Sequence, residues 1–264
     1  MTLKLYLNDM KKSNNDISSY RNGRYFILLV MLNTLECGSI CPLLRNIKNI
    51  SRTGIMIDNF ELIKSMFYFN EANNMFLHCQ IVQRAKDHKP NKVGEGAIKT
   101  YFIRGREQLE KLKDEIILLC EHYKARAYIN VAAKDFDAVN RRMLVKLAEY
   151  NYIGNMSFIN PRKILNSSAG EVKSRTPKWI VDIDDISIKD SILEWLDNYF
   201  RSTRPIDVLS YTNFFLYAEV PTVQGCHLIT LPFDSLKFSE SFPNVDVHKN
   251  SMGTLLYYPK SLEK

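Results

Sequence analysis

Residues 178–185, Lys-Trp-Ile-Val-Asp-Ile-Asp-Asp, constrain the fold of this chain more than any other stretch. A bulky apolar run that stops abruptly at carboxylates is the pattern of a buried strand where it emerges at an edge. Side chains along a strand alternate between its faces, so Asp182 and Asp184 project to the same side, about 7 Å apart. Two carboxylates so placed repel one another and raise one another's pKa unless a cation lies between them, and a site built from oxygen alone suits magnesium or manganese. The same stretch also fits a strand that runs into a capped helix, with Asp182 paired to an arginine and Asp185 near the N-cap.

With 264 residues, 45% of them hydrophobic and 25% charged, the chain can bury a sizeable core in one domain or two small ones. Its formal net charge of +7 is unevenly spread: from Arg84 to Lys178 there are 20 Lys and Arg against 11 Asp and Glu, which leaves the rest slightly acidic. Basicity just upstream of an acidic strand end fits a phosphate-rich ligand between two halves, and it fits a solvated basic surface as well. The five cysteines, Cys37, Cys41, Cys79, Cys120 and Cys226, form no close-paired framework, which points to a reducing, cytoplasmic compartment. Cys37 and Cys41 lack a second pair or a histidine at finger spacing, so no zinc site is expected. No run reaches the roughly 18 to 20 apolar residues that span a membrane, and no membrane partner is expected. The run Tyr25–Leu32, after Arg21 and Arg24, has some features of a signal peptide, but Asp9, Asp16 and Glu36 speak for a buried strand or helix instead.

Residues 1–57 read as an N-terminal extension with no visible chemistry. Over 58–150 an α/β subdomain is expected. Apolar residues from Phe60 to Val82 recur at mostly helical spacing and predict one or two helices, broken at Asn73-Asn74. Ile98–Ile103 reads as a strand, Glu107–Tyr123 as an amphipathic helix, Ala125–Val131 as a strand and Ala138–Tyr150 as a second helix. Strand, helix, strand with short links is a βαβ unit. Arg126, Tyr128 and Asn130 share one face of their strand; an open face would offer a guanidinium, an aromatic ring and an amide to a ligand, whereas a covered one leaves Arg126 in a surface salt bridge. Gly94-x-Gly96 precedes a strand and not a helix, which excludes a dinucleotide site. Residues 151–177, rich in Asn, Ser and Gly and containing Pro161, read as a linker, in which Lys173 and Arg175 are suited to gripping a triphosphate. Residues 178–264 read as a sheet module: the acidic strand, a helix over Lys189–Arg201, a hairpin of Asn213–Val220 and Cys226–Leu231 about a turn at Pro221–Gly225, and short strands at Val245–His248 and Thr254–Tyr258. In that hairpin His227 is held by backbone pairing, and Gly225 is expected to supply the positive φ a tight turn often requires. A histidine so held can donate to a phosphate oxygen or move a proton, although a lone histidine is more often a packed, hydrogen-bonded residue.

The order of these features matters. Asp182-x-Asp184 is followed 43 residues later by Gly225-x-His227, and 19 residues after that by Val245-Asp246. This succession resembles the archaeo-eukaryotic primase superfamily, the catalytic core of primases and primase-polymerases, over about Arg84 to Tyr258. The resemblance implies an α+β fold in which a mixed α/β N-terminal unit joins an antiparallel sheet module like that of RNA-recognition domains. It implies metal binding by Asp182, Asp184 and Asp246 and phosphate contact by His227, and Gln224, Arg126, Lys173 and Arg175 are the accompanying candidates for nucleotide binding. The activity implied is two-metal transfer of NTP or dNTP to a 3′-hydroxyl on a single-stranded DNA template during DNA replication, with magnesium or manganese as cofactor and a replicative helicase or other replication proteins as partners. Two departures stand out: Gly225 occupies a position that is often serine in the family, and Asp246 is a single acid whose same-face neighbours, Asn244 and His248, are not carboxylates. Two other readings share these residues. A glycosyltransferase of the Asp-x-Asp kind would bind a nucleotide-sugar through a divalent ion, but no Rossmann-like N-terminal unit is evident. A non-catalytic protein that binds single-stranded nucleic acid would bind in a salt-sensitive way and ignore magnesium.

Overall fold

Among the described residues, two antiparallel sheets with flanking helices form a mixed α+β arrangement, and neither sheet closes into a barrel. The computed structural model of the chain describes residues 56–87, 96–153, 160–203, 215–249 and 253–262. The readings of residues 1–55, including Tyr25–Leu32 and Cys37 with Cys41, and of Gly94 lie outside them, as do Asn213 and Phe214 at the start of the hairpin.

The first sheet begins with β1 (Ile57–Asp58), followed by helix α1 (Phe60–Ser65) and the strands β2 (Met75–Gln83) and β3 (Gly96–Ile103). Helix α2 (Arg106–Tyr123), strands β4 (Arg126–Asn130) and β5 (Lys134–Asp135), and helices α3 (Phe136–Tyr152) and α4 (Pro161–Glu171) come next. A last strand, β10 (Gly253–Tyr258), arrives from far along the chain, giving the order β1-β10-β4-β2-β3 with β5 paired to β2. The helical reading of Phe60–Val82 holds only for α1; β2 is a strand at the heart of the sheet. Asn70 caps a short 3₁₀ turn and Asn74 takes a left-handed φ of 52°, which ends helical geometry. From there Leu77, Cys79 and Ile81 alternate onto one buried face, so the apolar period changes from helical to two within one stretch of sequence. β3 and β4 each run antiparallel to β2 and are therefore parallel to one another with β2 between them. α2 packs Leu109, Ile116 and Cys120 into the core formed by Leu77, Cys79, Ile81, Ala127 and Ile129. The segment read as a linker carries α4: Pro161 stands at its first position, where its missing N–H costs nothing, and Ile164, Ser168 and Ala169 are buried.

The second sheet is built from β6 (Trp179–Ile183), α5 (Lys189–Thr203), β7 (Leu216–Pro221), β8 (Cys226–Thr230), α6 (Ser235–Ser241) and β9 (Asp246–His248), in the order β7-β8-β6-β9. The elements succeed one another as β-α-β-β-α-β. α6 was not evident in the sequence; Asp234 caps it by accepting from the N–H groups of Leu236 and Lys237, and Phe238 anchors it. The short strands expected at the end of the chain do not pair with each other: β9 joins β6, whereas β10 crosses to the first sheet and lies between β1 and β4.

One face of the second sheet, with Val181, Ile183, Cys226 and Leu228, buries against Ile192, Leu196 and Phe200 of α5 and Phe238 of α6. The opposite face, with Ile180, Ala218, Val220 and Ile229, shares the core of the first sheet. Asn59, itself buried, ties the two sheets at a polar point: its Nδ2 donates to the carbonyl of Leu255 on β10 (2.8 Å) and to that of Pro221 on β7 (3.0 Å).

Lys178 precedes β6 and is buried within this join. Its ammonium lies 4.8 Å from the Tyr68 ring centre and 4.7 Å from that of Tyr217, with the Met66 carbonyl at 3.5 Å. Loss of hydration pushes the amine down from an ordinary 10.5 to about 8. Between those values the unfolded chain binds more protons than the folded one, so this group makes stability rise with pH across that window, and below it the buried charge is a constant cost. Lys178→Met is therefore expected to be more stable than wild type at pH 7, by about 1–3 kcal/mol, with the advantage shrinking towards pH 10. Urea unfolding of both proteins at the two pH values checks this; a difference independent of pH would count against a buried ammonium.

Candidate active site

Strand register assembles the acidic residues. Asp182 on β6 stands directly opposite His227 on β8 and, on its other side, opposite Asp246 on β9. Directly opposed residues share a face, so His227, Asp182 and Asp246 form a row across three strands. Asp184, one residue past the end of β6, keeps the same parity, and His248, opposite Ile180, joins the same face. At the Ile180 and Ile229 end this face is sealed by the shared core. At the Asp182 end it opens: His227 is buried, Asp182 half-buried, and Asp184 and Asp246 exposed.

Asp182 sits between two imidazoles. His227 Nε2 is 3.2 Å from Asp182 Oδ1, and His248 Nε2 is 3.9 Å from Oδ2. The hydrogen bond from His227 is the main influence that holds the Asp182 carboxyl below its ordinary pKa, helped by both histidines as charges and opposed by burial. An ionised carboxylate only accepts, so Nε2 of His227 carries a hydrogen. The other ring nitrogen, Nδ1, lies 2.9 Å from Oγ1 of Thr254 on β10, in a buried contact. The partner of Asp182 is thus histidine and not arginine. Asp185 does serve as a cap, accepting from the Ser187 N–H (3.0 Å) and hydroxyl (2.7 Å) at the short turn that leads into α5.

Gly225 is needed for a reason other than the one expected. Its φ is not in the left-handed region; instead a Cβ here would lie 1.8 Å from the Ile183 carbonyl oxygen and 3.1 Å from Asp184 Cα. The hairpin returns so close over the end of β6 that no side chain fits. Thr222 fixes the turn, its N–H donating to the Gly225 carbonyl (2.9 Å) and its Oγ1 accepting from the Gly225 N–H (3.1 Å).

The expected nucleotide-binding residues are distributed differently. Arg126 makes a two-pronged pair with Asp87, at 2.8 and 2.5 Å, and its guanidinium lies 4.9 Å from the Tyr258 ring centre. It projects from the face of the first sheet opposite to that of Thr254, because Thr254 is in register with Ile129, three residues on. The amide of Asn130 is engaged as well, its Oδ1 accepting from the Ala132 N–H at 2.7 Å. Arg175 donates to Asp135 at 2.6 Å, beside the N-terminus of α3. Lys173 is exposed just beyond α4, with no contact that brings it to the acidic row, and Gln224 is exposed in the hairpin turn beside Gly225.

The oxygens of Asp182, Asp184 and Asp246 have the chemistry a hard divalent cation prefers, but among the described residues no three His, Cys, Asp or Glu side chains are drawn together as a metal-holding group. Cys79, Cys120 and Cys226 are buried and unpaired, and no helix among the described residues is long and apolar enough to cross a membrane. Compared with known protein families, curated proteins and solved structures, the chain matches none. Sequence reasoning missed two members of the site: His248, whose spacing of two from Asp246 was visible, and Thr254, whose partner lies in a different sheet and leaves no local signal.

Gly225→Ala is expected to cost at least about 2 kcal/mol, as overpacking against backbone that cannot yield, and to disturb the end of β6. A urea midpoint within a few tenths molar of wild type would show that the hairpin can move away.

Proposed function

We propose that the protein is a metal-dependent nucleotidyltransferase of the primase or primase-polymerase kind, which extends a 3′-hydroxyl on a single-stranded nucleic acid. The observation that carries this reading is the row His227, Asp182, Asp246, formed by register from three separate segments that occur in the order the family resemblance requires. The β-α-β-β-α-β succession with sheet order β9-β6-β8-β7 supports it: split βαβ modules of this kind, RNA-recognition domains among them, cover one face with helices and leave the other for function. Here α5 and α6 cover one face, and the row lies on the other.

In this reading Asp182, Asp184 and Asp246 would hold magnesium or manganese, which would supply activation of the attacking hydroxyl and neutralisation of the triphosphate. His227, whose Nε2–H points to Asp182, would be the donor for a phosphate oxygen of the incoming nucleotide. Gln224, exposed in the turn beside Gly225, would add a contact. Arg126 and Arg175, engaged with Asp87 and Asp135, take no part. A single-stranded DNA template, replication proteins such as a helicase as partners, and a cytoplasmic location belong to the same proposal.

The test is incorporation of labelled nucleotides on a single-stranded template with magnesium or manganese, comparing wild type with an Asp182→Ala, Asp184→Ala double variant. Product from wild type, reduced at least about 100-fold in the variant, is the expected result. Equal product from both would remove the carboxylates from the chemistry, and template binding without synthesis by wild type would replace the enzyme with a non-catalytic binding protein.

A further inference from the structure

The acidic row is built on the second sheet, but the imidazole at its inner end is held from the first. Thr254 is wholly buried, opposite Ile129, in a strand packed so tightly that a Cβ at neighbouring Gly253 would lie 3.1 Å from Ile129 backbone atoms. Its Oγ1 is 2.9 Å from Nδ1 of His227, and the hydroxyl is the only polar group the side chain has. With a hydrogen already required on Nε2 by Asp182, a ring in its neutral form presents Nδ1 as an acceptor to the Thr254 O–H, and a protonated ring donates from Nδ1 to the same hydroxyl oxygen. Histidine's ring torsion is broad and roughly two-fold, so without that hydroxyl the ring can flip and exchange Nδ1 for carbon, and the hydrogen can move between the nitrogens.

We propose that Thr254 is the positioning residue of His227, holding the ring from β10 so that its Nε2–H stays aimed at the acidic row whether the acceptor is Asp182 or a phosphate oxygen of a nucleoside triphosphate. The phosphate half of this statement rests on the proposed function; the ring-holding half does not. The sequence threonine, imidazole, carboxylate is also that of a hydrolytic triad, but Thr254 has no exposed surface from which to attack a substrate, and it acts through His227.

Thr254→Val removes the hydroxyl with almost no change of shape, and Thr254→Ser keeps it. The ¹⁵N signals of the His227 ring, read in the full chain, report tautomer and hydrogen bonding without any need for activity. Wild type and Thr254→Ser are expected to show a single form with Nε2 carrying hydrogen and Nδ1 hydrogen-bonded, and Thr254→Val a mixture of forms. In the incorporation assay Thr254→Val is expected to raise the KM for nucleoside triphosphate at least fivefold with a smaller change in kcat, and Thr254→Ser to restore it to within twofold. A wild-type ring spectrum in Thr254→Val overturns the inference whatever the kinetics. Altered ring signals with an unchanged KM would confine Thr254 to holding the ring and overturn the phosphate half. If wild type makes no product, the functional reading fails and the ring spectra still decide the positioning role. Should Thr254→Val not fold, as read by circular dichroism, Thr254→Ala supplies the same comparison.

Discussion

The strand Trp179–Ile183 is buried on both of its faces, and the rest of the molecule is arranged around that fact. Val181 and Ile183 enter the core under α5 and α6, while Ile180 enters the core shared with the first sheet. A strand with one wet face tolerates a slip of register poorly; one with two dry faces and neighbours on both sides does not tolerate it at all, because every side chain would change cores at once. The alternation then carries on past the point where the cover ends. Asp182 and Asp184 occupy the positions that continue Ile180, and they are the first on that face to meet solvent. The carboxylates are held where they are by the apolar packing of Val181 and Ile183, which alternate with them.

This arrangement explains how three distant stretches meet with so little machinery. β8 and β9 pair with β6 on either side, so placing His227 and Asp246 beside Asp182 requires only that their ladders be in register. Gly225 lets the β7–β8 hairpin close over the end of β6 without displacing Asp184. The join between the sheets does the remainder: apolar packing sets the distance, and polar links, among them Asn59 to β7 and β10 and His227 to Thr254, set the relative placement. Hydrogen bonds in such a dry seam tolerate little displacement, since an unmade one leaves a buried polar atom without water.

Much of this was legible in the sequence. The apolar run ending in acids, the hairpin that carries His227, and the amphipathic pattern of α2 and α3 are all local, and local pattern is what sequence reports. Met75–Gln83 misled because Leu62 and Ile63 of a true helix, with Met66 just past its end, run on through Asn70 and Asn74 into a strand, and a window across that boundary blends two periods. Residues 161–171 were hidden by their Asn, Ser and Gly content, although Pro161 was a legitimate helix start. Arg126 and Arg175 were placed on the right strand and segment, but nothing in the chain named Asp87 and Asp135 as their partners, and a cation's partner decides whether it is available to a ligand. Thr254 was invisible for the most general reason: its role depends on β10 leaving the sheet that its neighbours in sequence belong to.

The position of β10 also bears on how the protein comes to exist. In the first sheet this strand is internal, bonded to β1 on one side and β4 on the other, so residues near 57 pair with residues near 258. As the chain is synthesised, β2, β3 and β4 emerge together and can find one another early, but their sheet keeps an open edge at β4 until almost the whole unit has been made. The second sheet can complete its own ladder sooner, with His227 in place but its ring unheld. In the finished structure β10 covers the β4 edge and brings Thr254 beside His227. A chain interrupted before residue 253 would carry every acidic residue of the row and lack both the strand that covers β4 and the hydroxyl beside His227.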